Sequence, residues 1–208
     1  MKITIFGATG MVGKHLVQQA LLSGHSVRAF GRNPFETFSH ERPGLELFKG
    51  YLFQDDDIEA ALENTEAVLS ALGGPADAVD KTRSLGMKKI VAAMEKTGVK
   101  RIVGVGGMGI LNANEHTLVY QTPQFPEKFK AVTMEHFEAY EYLDQSSLDW
   151  TFACPPDIVD AEYSGRFKTR KDYPAHGSST IIAADLAAFM VKEMTECQFV
   201  RCRVGISN

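Results

Sequence analysis

The sequence predicts an α/β fold, a doubly wound and mostly parallel sheet covered by helices on both faces. Three observations predict it. Short runs of apolar and β-branched residues alternate with segments of helical period along the whole chain. Glycine or proline closes most of these runs. The 208 residues are 44% hydrophobic and 23% charged, enough to bury a sizeable core without metals or disulfides.

The elements follow in order. Lys2–Phe6 reads as a strand that stops at Gly7. Val12, Leu16, Val17, Ala20 and Leu21 then recur at helical spacing, and Gly24 ends that helix. A second strand covers 26–30 and ends in Gly31-Arg32-Asn33-Pro34. A third lies at 45–48. Asp55-Asp56-Asp57 opens a short helix through Ile58, Ala61 and Leu62, because acids favour a helix N-terminus. Residues 67–72 form a buried strand closed by Gly73-Gly74-Pro75. Met87, Ile90, Val91 and Met94 mark a helix face that ends at Gly98. Arg101–Val105 is a strand running into Gly106-Gly107. A helix spans about 130–145, and a strand at 150–154 stops at Pro155-Pro156. A last helix starts near Asp185, with a short strand at 201–206. The polar stretch 110–124 reads as a mobile substrate lid. One domain over 1–208 fits, with a small substrate lobe drawn from about 108–130 and 155–182.

Composition also excludes. A net charge of −4 argues against a nucleic-acid partner. No apolar run approaches the roughly 18 residues of a membrane span, so no membrane association is expected. The apolar start is too short for a secretory signal, so export is not expected. Three cysteines without Cys-x-x-Cys suit a reducing, cytoplasmic setting. The scattered His residues give no metal site. The expected partner is a small-molecule substrate, and the chain is expected to be a monomer or small homo-oligomer. The first 35 residues hold Lys2, Lys14, Arg28 and Arg32 and no acid. On charge alone that is chance; beside the loop described next it becomes a candidate anion site.

The loop is Gly7-Ala8-Thr9-Gly10-Met11-Val12-Gly13, between the first strand and the first helix. In that context Gly7 permits the tight exit from the strand. Gly10 lets the backbone approach a pyrophosphate, and Gly13 lets the helix pack on the sheet. The free N–H groups of the helix start add a positive pole. The end of the second strand selects the dinucleotide. An Asp or Glu is usual there for a ribose 2′-hydroxyl, whereas this chain has Phe30-Gly31 followed by Arg32. A guanidinium grips a 2′-phosphate in two places, so NADP(H) is expected over NAD(H).

Further residues carry a resemblance. Phe6-Gly7-Ala8-Thr9-Gly10, Arg32, Leu72-Gly73, Ile90-Val91-Ala92-Ala93-Met94 and Ala131-Val132-Thr133 with His136 form one part of it. Pro155-Pro156 with Ile158, and Asp185-Leu186 with Phe189-Met190, complete it. Over essentially its whole length the chain resembles the atypical short-chain dehydrogenase/reductase superfamily of Rossmann-type, NmrA-like proteins. Within it, the chain is most similar to the biliverdin reductase B or NADPH-dependent flavin reductase branch. The resemblance implies that Gly7, Thr9, Gly10, Met11 and Val12 hold the pyrophosphate and Arg32 the 2′-phosphate. It implies Leu72 and Gly73 along the adenosine, with Ser84 reaching the phosphates. Gly106, Gly107, Pro155 and Ile158 would border the nicotinamide. Three positions depart from that branch. Gly50-Tyr51 replaces a Gly-Asp that contacts adenine, and Tyr51 offers a ring for stacking instead. Gly106-Gly107 replaces a Thr-Ser pair, and Asp157 replaces a histidine.

No tyrosine has a lysine four residues later, so the Tyr-x-x-x-Lys proton relay of most short-chain dehydrogenases is absent. Hydride transfer to a conjugated acceptor needs less protein chemistry, since the cofactor carries the hydride and water can supply the proton. Gly106 and Gly107 would leave room for a flat ring beside the nicotinamide. His136 is the first candidate proton donor or substrate contact, because imidazole titrates near neutrality. Asp157 is the second. Cys154 reads as an inert strand cysteine. The expected function is NADPH-dependent reduction of a flat acceptor such as a flavin, quinone or tetrapyrrole. The alternative is a non-catalytic NADP(H) sensor of NmrA type. A sugar-nucleotide or carbonyl reductase or epimerase stands third, because the C-terminal lobe is short.

Overall fold

Alternation along the first strand sets the architecture. In β1 (Lys2–Phe6), Ile3 and Ile5 enter one apolar core and Phe6 enters another, so both faces of the strand are buried. In a computed structural model of the chain, residues 1–39, 42–75 and 79–208 are described. After β1 come α1 (Met11–Leu22), β2 (Ser26–Gly31), β3 (Leu45–Lys49), α2 (Asp55–Leu62) and β4 (Ala67–Ser70). Then follow α3 (Thr82–Thr97), β5 (Arg101–Val105), a small hairpin of β6 (Asn112–Asn114) and β7 (Thr117–Leu118), and α4 (Lys130–Asp144). The chain continues through β8 (Asp149–Cys154), β9 (Asp157–Val159), β10 (Lys168–Lys171), β11 (Thr180–Ile182), α5 (Ala183–Glu196) and β12 (Cys202–Ser207).

Eight strands form one sheet in the order β10-β12-β8-β5-β4-β1-β2-β3. All pairs are parallel except β10 against β12. The chain winds outward one way from β1 and the other way from β4, so the C-terminal ends of these two neighbours part into a crevice. Helices α1 and α5 bury Leu16, Val17, Leu186 and Met190 against one face. Helices α2, α3 and α4 bury Ile58, Ile90, Met94 and Leu143 against the other, where Trp150 and Phe152 fill the middle. The doubly wound α/β expectation holds.

Several expectations need correction. The stretch 110–124 is no loose lid. Ile110 and Leu111 are fully buried, Val119 N–H donates to the Leu111 carbonyl, and Arg203 donates to the Ile110 carbonyl and to Asn112. Short strands at β9, β10 and β11 were not legible: β9 and β11 make a separate parallel pair, and the exposed β10 finishes the sheet edge. The basic N-terminal segment is not a converging charge patch either. Arg28 is 6% exposed, pairs with Glu46 at 2.9 Å, and donates to the carbonyls of Ala60, Ala61 and Glu63 at the end of α2. Lys2 also pairs with Glu46. Of the four basic residues, Arg32 alone reaches the crevice. Among the described residues, no helix is long and apolar enough to cross a membrane.

Candidate functional site

The C-terminal ends of β1 to β5 open into a cleft of about 980 Å³. Its floor is the glycine loop. Gly7 has φ +75°, and a Cβ there would lie 2.3 Å from the Ala71 carbonyl oxygen. A Cβ on Gly13 would lie 2.0 Å from the Gly7 carbonyl oxygen, so α1 rests directly on the loop. Gly10 caps α1 without a side-chain hydrogen bond, and the first turn holds no acid. Its N–H groups are therefore left for a ligand, with the positive pole of the helix behind them. Gly7, Thr9, Gly10, Met11 and Val12 all line the cleft. A backbone cradle that side chains would fill, over an uncapped helix start, fits a dinucleotide pyrophosphate.

One end of the cleft is built by β2, β3 and β4. Arg32 follows Gly31 at the tip of β2 and is exposed there. Among the described residues no carboxylate lies at the end of β2, and none forms an ion pair with Arg32. Tyr51 and Phe53, each 51% exposed, stand at the tip of β3 beside Gly50, while Leu72 and Gly73 continue the wall from β4. A Cβ on Gly50 would lie 2.4 Å from the Phe30 ring, so this glycine lets Phe30 pack under the wall.

The other end is built by Val105, Gly106, Ile158, Arg83 and His136. His136 projects from α4. Burial, and then the positive charge of Arg83, hold its pKa down to about 3, so the imidazole is neutral at physiological pH. Its Nδ1 is buried and has no hydrogen-bond partner. A neutral imidazole can donate or accept a hydrogen bond but holds no ready proton to give away, so of the two expected roles of His136, proton donor or substrate contact, the lowered pKa favours the second. Arg83, from the first turn of α3, donates to the carbonyls of Gly74 at 2.7 Å and Pro75 at 3.1 Å.

The glycine pair also serves a different purpose from the expected slot for a flat ring. A Cβ on Gly106 would lie 2.8 Å from the Phe152 ring and 3.0 Å from Cys154 Sγ. A Cβ on Gly107 would lie 2.9 Å from His136 Cδ2. The missing side chains make way for the protein's own Phe152 and His136. Burial raises the Cys154 thiol to about 12, so it is inert as expected.

The structure brings eleven of the sequence-derived positions to the cleft: Gly7, Thr9, Gly10, Met11, Val12, Arg32, Leu72, Gly73, Gly106, His136 and Ile158. Four lie outside its lining. Ser84 is fully buried and donates its hydroxyl to Glu135 at 2.7 Å, so it cannot reach a phosphate. Glu135 is itself 2% exposed and also accepts from Lys81, which ties α4 to the start of α3. Gly107 sits behind His136, and Pro155 is buried, its carbonyl accepting from Met108 N–H. Asp157 is exposed and its backbone N–H bonds to Ser179 as β9 pairs with β11. Arg83, Phe53 and Phe30 were missed. Arg83 lies in the first turn of a helix whose apolar face alone was legible, and nothing in the spacing aims it at the cleft.

The comparisons agree with this geometry. A family described as NAD(P)H-binding matches residues 7–196. The protein YwnB of Bacillus subtilis, which has no described function, is 28% identical over 202 residues, covering 93% of this chain and 92% of its own. A crystal structure of a candidate exported protein from Burkholderia pseudomallei is 35% identical, covers 100% of both chains and superposes with a TM-score of 0.86. That of a candidate NADH-flavin reductase from Streptococcus pneumoniae is 27% identical, with a TM-score of 0.81 over 100% of this chain and 99% of that one.

Proposed function

The chain belongs to the NAD(P)H-binding family, and from that premise we propose that it is an NADPH-dependent reductase of a flat conjugated acceptor. The acceptor class is a flavin, quinone or tetrapyrrole. The observation that carries the reading is the makeup of the cleft beyond Gly106. Among the described residues no tyrosine or lysine lines that end, and the imidazole there, His136, is neutral. A simple ketone needs a protein acid at its oxygen as the hydride arrives. A conjugated acceptor spreads the charge and takes its proton from water. A bound reduced nicotinamide would supply a hydride, two electrons with one proton. The chain's own residues would orient it: the glycine loop and α1 would hold the pyrophosphate, Arg32 would hold the 2′-phosphate, and Gly106 and Ile158 would border the nicotinamide.

Arg32 without a neighbouring carboxylate supports NADPH over NADH. The reading treats 1–208 as one domain, with the substrate lobe drawn mainly from 108–130 and 155–182. It keeps the protein in the cytoplasm, on the strength of three unpaired cysteines, as a monomer or small homo-oligomer.

The experiment follows loss of reduced-nicotinamide absorbance with panels of flavins, quinones and aldehydes. Turnover with flavins or quinones, and none with aldehydes, is expected. Binding of NADPH without turnover of any acceptor would instead establish a nucleotide sensor. That second reading is favoured by the same missing relay and by Asp157 lying outside the cleft.

A further inference from the structure

We propose that Arg83 and His136 form a subsite for an anionic group, a carboxylate or phosphate carried by the acceptor. The inference rests on the reductase reading for the acceptor's identity, and on the following contacts for the site.

Arg83 and His136 come from different helices, α3 and α4, which pack on each other, and both line the cleft. The Arg83 guanidinium is aimed by two carbonyls, those of Gly74 and Pro75. Those bonds use two of its five N–H donors and neutralise none of its charge. No ion pair among the described residues includes Arg83. Asp80 is the one carboxylate among the described lining residues, and it accepts from the Thr82 N–H and hydroxyl. A held, half-buried cation without a counter-ion among the described residues is a candidate site for an anion.

His136 supplies the second observation. Its ring is seated over Gly107 and lines the cleft, yet its buried Nδ1 has no protein partner among the described residues. Buried polar atoms are ordinarily paired, so an orphan in a cleft wall points to a ligand. As a neutral ring it presents one N–H donor. A fixed cation beside a neutral donor recognises oxyanions. On the proposed reading the cofactor's own phosphates are taken by the glycine loop on the cleft floor and by Arg32 at the tip of β2.

The test compares acceptors that differ only in the anionic group. FMN is riboflavin plus one phosphate, and biliverdin is its dimethyl ester with two free carboxylates. Binding of each to the NADP⁺-loaded protein is followed by flavin fluorescence or tetrapyrrole absorbance, without turnover. In at least one pair the anionic member is expected to bind about tenfold tighter. Arg83→Gln should abolish that preference, Arg83→Lys should keep part of it, and the affinity for NADP⁺ should not move. The pair that shows the preference identifies phosphate or carboxylate as the group taken. Absence of preference in both pairs, or its survival in Arg83→Gln, overturns the proposal. So does a matching loss of NADP⁺ affinity, which would assign Arg83 to the cofactor. Failure of the reductase reading shows separately, as absent turnover with the binding preference intact.

Discussion

Arg32 shows how much a single side chain settles in this cleft. It stands where a carboxylate would otherwise exclude a 2′-phosphate, and no described ion pair diverts it. Arg32→Ala should weaken NADPH binding by about ten- to a hundredfold and leave NADH within about threefold, read by titration of cofactor fluorescence. Gly106 is equally specific, for a steric reason. Gly106→Ala brings a methyl against Phe152 and should cost about 1–3 kcal/mol in urea denaturation. Adding Phe152→Leu should recover part of the loss, because the clash is with that ring. His136 gives a pH signature. Its folded pKa is about 3 against 6.5 for a free imidazole. Between those values the unfolded chain binds the proton and the folded one does not. Stability therefore falls as pH drops from 6.5 toward 3 and is flat above that window. His136→Gln should make the fall of Tm with acid shallower.

At the level of elements, charged groups under the sheet hold the scaffold and leave the cleft alone. Arg101 of β5 pairs with Glu193 of α5 at 2.9 Å and donates to Thr151 of β8, while Glu193 accepts from Thr151 and the Phe199 N–H. Both partners are buried, so truncating one strands the other. Glu193→Ala should destabilise by about 3–5 kcal/mol in urea melts while leaving the dinucleotide affinity of the remaining folded protein unchanged. The end of α5 carries the opposite opportunity. Cys197 caps it in the left-handed region at φ 52°, where a side chain is disfavoured. Cys197→Gly should stabilise by about 0.5–1 kcal/mol in the same assay. The end of α3 already has the favoured residue, Gly98 at φ 80°. That stop was readable in advance, because the glycine directly followed a helical apolar face.

For the whole molecule, the ligand is part of the stability. The cleft joins five strand ends on both sides of the point where the winding reverses, so an occupant ties the two halves together. NADPH at a hundred times its Kd should add about 2.7 kcal/mol, a rise of roughly 5–10 °C in Tm for a chain of this size. NADH at the same concentration should give less, and Arg32→Ala should bring the two shifts together. The charge asymmetry of the first 35 residues plays little part in this. Arg28 and Lys2 are spent on Glu46, which leaves, from that segment, the uncapped backbone N–H groups of α1 and Arg32 as the positive groups facing the cleft. Nearly all of the sheet was legible from the sequence, because strands buried on both faces must be continuously apolar. The edge strand β10, with the sequence Lys-Thr-Arg-Lys, was not legible, because an exposed edge carries no such demand.

By itself the sequence determined the doubly wound sheet, the glycine loop at its first turn and the arginine at the tip of the second strand that is proposed to select the phosphate. Each of these is a local requirement: an apolar period, a backbone angle, or a charge at a strand end. Only the tertiary structure decided what lies beyond Gly106. Whether a glycine opens a slot or admits Phe152 depends on a strand nearly 50 residues away, and whether Ser84 reaches a phosphate or Glu135 depends on another helix. The same distance hid Arg83, whose meeting with His136 is made by the packing of α3 on α4. Cofactor recognition rests on contacts within one βαβ unit and so survives in the linear sequence. The acceptor end is assembled from α3, α4, β5 and β9, and their side chains acquire a common purpose only when the sheet brings them together.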